Sequence, residues 1–276
     1  MGKNKIELSI HKRKRKVLAI KTLLVLGGMM ILLMLAAWFY EPEKPFEAKA
    51  IRPDHSKVVE EKQIRADRLL EQLEEEGAPE GLSSTLRKNN ETLNFVMDYD
   101  KRNHDFSSGT QISEESTTIP LLLQWDERWG YAPYGTSMIS SAGCGPTCLA
   151  MVVSYFTKDE TITPYTMAQY SIENGHVTDE GATYCALMES TEEWNIHVVS
   201  EDPDEKIVEE ALKAGNPIIC NVFPGDFTET GHFIVLTGYA DGMVSVNDPF
   251  SRRNSLKLWR FADIQDQIDR MWIYSQ

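Results

Sequence analysis

Cys144 lies in the run Ser141-Ala142-Gly143-Cys144-Gly145-Pro146-Thr147, where a loop gives way to an apolar-periodic stretch that predicts a helix. At a helix N-terminus the unpaired backbone N–H groups and the macrodipole favour an anion, so the nucleophilic thiolate becomes accessible near neutral pH. Pro146 suits the first turn. Leu149, Met151, Val152, Tyr155 and Phe156 repeat at three- and four-residue spacing, which predicts one buried face and a rigid tip for Cys144. The competing reading is a small buried hydrophobe. A thiol that attacks an amide needs a base to take its proton and later protonate the leaving amine, and imidazole suits both steps. Of the six histidines, His11, His55 and His104 fall in polar or charged segments, His176 follows a predicted helix end, and His197 lies within a short strand. His232 stands apart: Gly231 before it permits close backbone approach, and the apolar run after it anchors the ring at the start of a strand. A core histidine with its hydrogen bonds met is the alternative there.

An imidazole base needs an orienting group, and hairpin arithmetic indicates one. Around Asp241-Gly242, a two-residue turn would set Val235 opposite Asp248 and put that carboxylate on the other face from His232. A three-residue loop Ala240-Asp241-Gly242, with Gly242 in the left-handed region, sets Ile234 opposite Asp248 instead. His232 and Asp248 then become diagonal neighbours on one face, roughly 7–8 Å apart at Cα. The longer loop is therefore predicted, with Asn247 as the substitute orienter should Asp248 point away. For the developing oxyanion, the backbone N–H of Cys144 supplies one donor and Gln124, ending a strand-like segment before the loop that delivers the cysteine, is the best side-chain candidate. Cys144 and Cys148 are one helical turn apart, but no second CxxxC or paired-histidine motif completes a zinc site, so no metal and no other cofactor is expected. No disulfide is expected either, since Cys148 and Cys185 fall in helical patterns and a nucleophilic Cys144 leaves an odd number to pair.

The elements that must position these groups read as an α+β domain from Ile119 to Gln276. Ile119 to Gln124 is strand-like, and after the Cys144 helix come helices over Pro164 to Asn174, capped by Thr163, and over Thr183 to Trp194. A strand at Ile196 to Val199, a helix from Asp204 to Ala214 stopped by Gly215, and a strand from Pro217 to Val222 lead to the loop Phe223 to Gly231. The hairpin of His232 to Tyr239 and Met243 to Asn247 follows. Strand, helix and strand over Leu256–Trp259, Ala262–Ile268 and Met271–Tyr274 finish the chain. An early helix on a mostly antiparallel sheet is the outline. Ahead of it, residues 41–77 read as a charged stalk with a helix over 56–76. Residues 78–118 read as an accessory segment, with Leu82 to Tyr99 docking on the domain and 103–118 as a loop.

The first forty residues carry +7 of a chain total of −14, so the remainder holds −21 and nucleic acid is excluded as a partner of the body. Thr22 to Tyr40 contains no charge and has the length of a bilayer-spanning helix, closed by Trp38, Phe39 and Tyr40. Basic residues before it and Glu41, Glu43 and Glu47 after it orient the N-terminus to the cytoplasm and the rest outward. A cleaved signal peptide, which the bulky residues after Ala36-Ala37 disfavour, would also export the domain.

Gln124 in LLLQWDERWGY, Cys144 in GCGPTCLAMV, His232 in GHFIVLTGY and Asp248 in VNDPF together resemble the bacterial bacteriocin-processing, double-glycine leader peptidases, and most of all their stand-alone extracellular relatives in the papain-like superfamily. The resemblance covers about Ile119 to Gln276. It implies a papain-like fold and cysteine-dependent amide cleavage of a peptide or protein substrate, with Cys144 as nucleophile, His232 as general acid/base, Asp248 as its orienter and Gln124 as oxyanion donor. The bacteriocin-processing members are fused to an exporter's membrane and ATPase domains, whereas this sequence has one span and no GxxxxGK[ST] loop, which turns the expectation toward cell-wall peptides, secreted proteins or a signalling peptide. A peptidoglycan amidase, endopeptidase or transpeptidase would use the same site. A catalytically silent binding or scaffolding module is the remaining alternative.

Overall fold

The computed structural model describes residues 55–102, 107–114 and 117–276. The predicted membrane span at 22–40 and the start of the stalk lie outside the described residues. Among the described residues no helix is long and apolar enough to cross a membrane.

Helix α1 (His55–Glu76) ends at Gly77, whose φ of +66° halts it. The accessory stretch expected over Leu82 to Tyr99 breaks into α2 (Glu80–Lys88) and α3 (Leu93–Met97). The break falls at Asn89, which takes extended backbone and accepts the N–H of Glu91 on its side chain, a local bond that competes with helix. Leu82, Leu86, Leu93, Phe95 and Val96, with Ala66 and Leu73 of α1, bury against Leu123, Trp125, Tyr131 and Met138. These contacts pack the segment against the residues that follow it. The expected loop at 103–118 is more ordered than that where it is described: Ser107–Thr110 makes a 3-10 turn, and the N–H of buried Ile112 reaches the carbonyl of Glu160.

Ile119 to Gln124 does not pair as a strand. Pro120 lacks a ladder donor, and the segment is held instead by the Asn247 amide, which donates to the Ile119 and Pro120 carbonyls, and by the Gln124 N–H, which donates to Pro249. A ribbon of β1 (Pro133–Tyr134) and β2 (Ser137–Met138) leads into α4 (Ile139–Ala142), and after Gly143 alone α5 (Cys144–Thr157) begins. Every residue of α5 from Gly145 to Ser154 is buried, so this helix is enclosed all round rather than on one face. Helix α6 (Pro164–Glu173) starts on a reciprocal cap of Thr163 and Thr166. The helix expected over Thr183 to Trp194 is two 3-10 turns, Cys185–Glu189 and Glu192–Trp194. Between them Ser190 and Thr191 spend their hydroxyls on the Ala186 and Ile196 carbonyls, which interrupts the helical ladder.

The remaining elements are β3 (His197–Glu201), α7 (Glu205–Lys213), β4 (Ile218–Val222), β5 (His232–Ala240), β6 (Met243–Asn247), α8 (Arg252–Ser255), β7 (Leu258–Arg260), α9 (Phe261–Ile264) and β8 (Ile268–Ser275). Strand β7 begins later than expected because Leu256 closes α8. The expected helix at 262–268 is α9 plus the 3-10 turn Gln265–Gln267. Six strands form one sheet in the order β3-β8-β4-β5-β6-β7, every neighbour antiparallel. One face packs Ile219, Phe233, Val235, Trp272 and Tyr274 on α5; the other packs Cys220, Ile234, Leu236, Val244 and Val246 on α7. Burial on both faces explains why β5 starts with the unbroken apolar run Phe233 to Leu236.

Candidate active site

The β5–β6 hairpin decides whether His232 can meet Asp248. The predicted three-residue loop is not the one formed: Asp241 at φ +50° and Gly242 at φ +80° make a two-residue turn with Ala240 opposite Met243. That turn alone would send Asp248 to the wrong face. A β-bulge at Thr237, between the pairs Leu236–Val246 and Gly238–Ser245, inserts the missing residue and leaves Val235 opposite Asn247. Ile234 therefore falls at the level of Asp248, and His232 and Asp248 share a face. The register follows the expectation although its device does not.

His232 Nε2 donates to Asp248 Oδ1 at 2.9 Å, with His232 7% and Asp248 0% exposed. Nδ1 is the ring nitrogen outside that bond, and the Cys144 sulfur interacts with the His232 ring. Asp248 is fixed from the turn that follows β6. Its Oδ1 also accepts the N–H of Phe250 at 2.8 Å and of Ser251 at 3.2 Å, and its Oδ2 accepts Asn254 Nδ2 at 2.8 Å. Burial by itself pushes the Asp248 carboxyl up, but the His232 charge and hydrogen bond, with the Asn254 and Phe250 donors, bring it below the ordinary carboxylate value. For His232, burial favours the neutral ring and Asp248 overrides it, followed by the Cys144 sulfur, raising the imidazole to about 10. For Cys144, burial raises the thiol, while the His232 hydrogen bond and charge, joined by the backbone N–H groups of Phe233 and Gly145, outweigh it and lower it. The three groups thus favour a thiolate beside an imidazolium held by a carboxylate.

Gln124 is 2% exposed, and its Nε2 donates to the Ser140 carbonyl at 2.8 Å while Oε1 has no partner. A primary amide carries two hydrogens on nitrogen, so one donor remains after the Ser140 bond. Gln124, half-buried Cys144 and His232 open on the same cleft of about 500 Å³. Part of its rim is the loop Gly225 to Gly231; another part is Arg87 to Glu91 of the accessory segment. Asn247, the substitute orienter, is turned away to the Ile119 and Pro120 carbonyls. His176 bonds Ser190, and His197 is exposed on β3. All four cysteines are free thiols, Cys148 and Cys220 fully buried, and among the described residues no group of acidic, histidine and cysteine side chains is placed to hold a metal. The Gly145 N–H is one of the helix-start donors that the sequence predicts, whereas the bulge, the Asn254 donor and the Phe233 N–H are not predicted by it. Gly238, an isolated glycine within the strand, is the sequence signal that points to the bulge.

Several solved structures are similar to this chain at low identity. The peptidase domain of Streptococcus ComA, a bi-functional ABC transporter involved in quorum sensing, is 18% identical over 49% of this chain and 91% of that one, with a TM-score of 0.38. A C39-like peptidase from Bacillus anthracis is 16% identical over 58% and 96%, at 0.36. A double glycine motif protease from an AMS/PCAT transporter, in complex with the leader peptide, is 17% identical over 59% and 96%, at 0.38. No match is found among curated proteins. Residues 116–275, more than half of the chain, match the model of the Peptidase_C39 like family. The chain belongs to the Peptidase_C39 like family and is an enzyme of the cysteine-peptidase kind.

Proposed function

We propose that this protein is a membrane-anchored extracellular cysteine peptidase in which Cys144 is the nucleophile, His232 the general acid/base, Asp248 its orienter and Gln124 the oxyanion donor. The observation that carries this reading is the Nε2–Oδ1 bond of 2.9 Å between buried His232 and Asp248, beside a cysteine at a helix tip that opens on the same cleft. The Cys144 thiolate attacks the scissile carbonyl, and the oxyanion is met by the Gln124 amide and the Cys144 N–H. The imidazolium protonates the departing amine, and water, deprotonated by His232, then hydrolyses the thioester. Burial of Asp248 and its four donors keep the ring from rotating between the two half-reactions.

The anchor rests on the uncharged run Thr22 to Tyr40, and the outward orientation on the basic residues that precede it. An enzyme facing outward fits cell-wall peptides or secreted polypeptides better than leader removal during export. Incubating the full chain with an unstructured polypeptide and with purified cell wall tests this. Polypeptide cleavage, reduced roughly 10⁴-fold or more in Cys144→Ala, is expected. Fragment release from cell wall alone would make the enzyme a peptidoglycan hydrolase, and unchanged cleavage by Cys144→Ala would remove the nucleophile from the account.

A further inference from the structure

The match to the family begins at residue 116, yet the cleft is not complete without residues that precede it. The end of α2 and the turn after it reach the segment that holds Asp248. Asn89 Nδ2 donates to the Phe250 carbonyl at 2.5 Å, and Glu91 Oε1 accepts the Ser251 hydroxyl at 3.0 Å and the Arg253 N–H at 3.4 Å. These bonds act on the groups that grip the carboxylate. Phe250 and Ser251 supply two of its N–H donors, and the Ser251 hydroxyl accepts the N–H of Asn254, whose amide supplies the donor to Oδ2. The Phe250 ring meets His232 edge-on at 6.4 Å. On the other side, Leu82, Leu86 and Leu93 bury against Leu123 and Trp125, the residues flanking Gln124.

We infer that the accessory segment is part of the active site, with Asn89 and Glu91 positioning the turn that fixes Asp248 against His232. This rests on the assignment of Cys144, His232 and Asp248 proposed above. A turn free to shift by a fraction of an ångström lengthens the Asp248–His232 bond, and the weakened imidazolium then supports the Cys144 thiolate less well. Three bonds from two side chains of one segment to one turn, both side chains also lining the cleft, are more than packing requires: the apolar contacts already dock the helix.

The test is the pH profile of Cys144 alkylation by iodoacetamide in the full chain, read by mass spectrometry. It is run in a Cys185→Ser background because that thiol is half-buried. The titratable groups that interact with the reacting pair are Asp248, Cys148 and Tyr134, all left in place. Glu91→Ala and Asn89→Ala are each expected to move the acid-side midpoint upward by about one pH unit, on the scale of losing one hydrogen-bonded partner's support. Glu91→Gln, which keeps an oxygen acceptor for Ser251, is expected to restore the wild-type profile. Simple destabilisation would lower the melting temperature without moving the midpoint. The two alanine variants cut different bonds, so the profile of either one that folds decides the matter. Unshifted midpoints, or a Glu91→Gln profile displaced as far as that of Glu91→Ala, would overturn the inference. A wild-type protein with no acid-side reactivity would instead overturn the catalytic assignment on which it rests.

Discussion

Replacing Asp248 by Asn keeps the shape of the side chain and removes the charge that faces His232. In the folded protein the imidazole is raised from 6.5 to about 10, chiefly by Asp248 and then by Cys144. A rise of that size corresponds to a folded-state preference on the order of 5 kcal/mol for the charged ring, shared between the two partners. Because the folded value lies above the unfolded one, this stability is complete below pH 6.5 and fades as pH climbs through about 10. The Asn amide also meets the amide of Asn254, which now donates to Asp248 Oδ2. That conflict costs about 1–2 kcal/mol at any pH, so the diagnostic quantity is the difference between two pH values. Urea unfolding of wild type and Asp248→Asn should show a loss of about 4 kcal/mol at pH 6 that shrinks to about 1–2 kcal/mol near pH 10.5. A penalty equal at both pH values, or larger at the alkaline one, would refute the reasoning that a buried imidazolium is held by this carboxylate.

With the oxyanion role proposed for its second amide hydrogen, Gln124→Ala is expected to lower kcat by roughly 10²-fold with little change in KM; equal kcat in steady-state assays would remove it from the oxyanion site. Gly225→Ala drives a Cβ into Gln267 Oε1, and that glutamine holds the cleft loop through the N–H and carboxylate of Asp226 at 2.7 Å each. Its KM should rise several-fold, by analogy with other positioning losses, while kcat moves less, and an unchanged KM would mean that the loop does not bind substrate. Thiol titration of the native protein should show fast reaction at Cys144 and slow reaction at half-buried Cys185, whose thiol burial pushes up. Cys148 and Cys220, both 0% exposed, should react only on unfolding, and early labelling of either would contradict the enclosed packing of α5 and β4.

The positions of the candidate groups were easier to read from the sequence than the scaffold that carries them. Cys144 at a helix start, His232 at a strand start and Asp248 after the next strand are local signals, each set by glycine, proline or apolar neighbours. Where an outcome depended on contacts between distant segments, the reading was incomplete. The bulge at Thr237 is marked only by the isolated glycine Gly238 beside it in the strand, yet it does the work assigned to a longer loop. Ile119 to Gln124 has strand-like composition, but its hydrogen bonds go to the Asn247 side chain and Pro249 rather than to a ladder. Thr183 to Trp194 has helical spacing, and two hydroxyls at Ser190 and Thr191 divide it. Asn89 and Glu91 look like ordinary polar residues between two helical stretches. Their bonds to Phe250 and Ser251 span about 160 residues of sequence, a separation at which no local pattern operates.

The central claim, that Cys144 is an activated thiolate paired with His232, is tested most directly by its alkylation rate between pH 5 and 10 in wild type and His232→Ala. Substantial reaction of wild-type Cys144 is expected at pH 6, and in His232→Ala a midpoint moved up toward the ordinary thiol value of about 8.5, because burial is then opposed only by the backbone N–H groups of Phe233 and Gly145. Identical profiles in the two proteins, both rising only in the alkaline range, would contradict it.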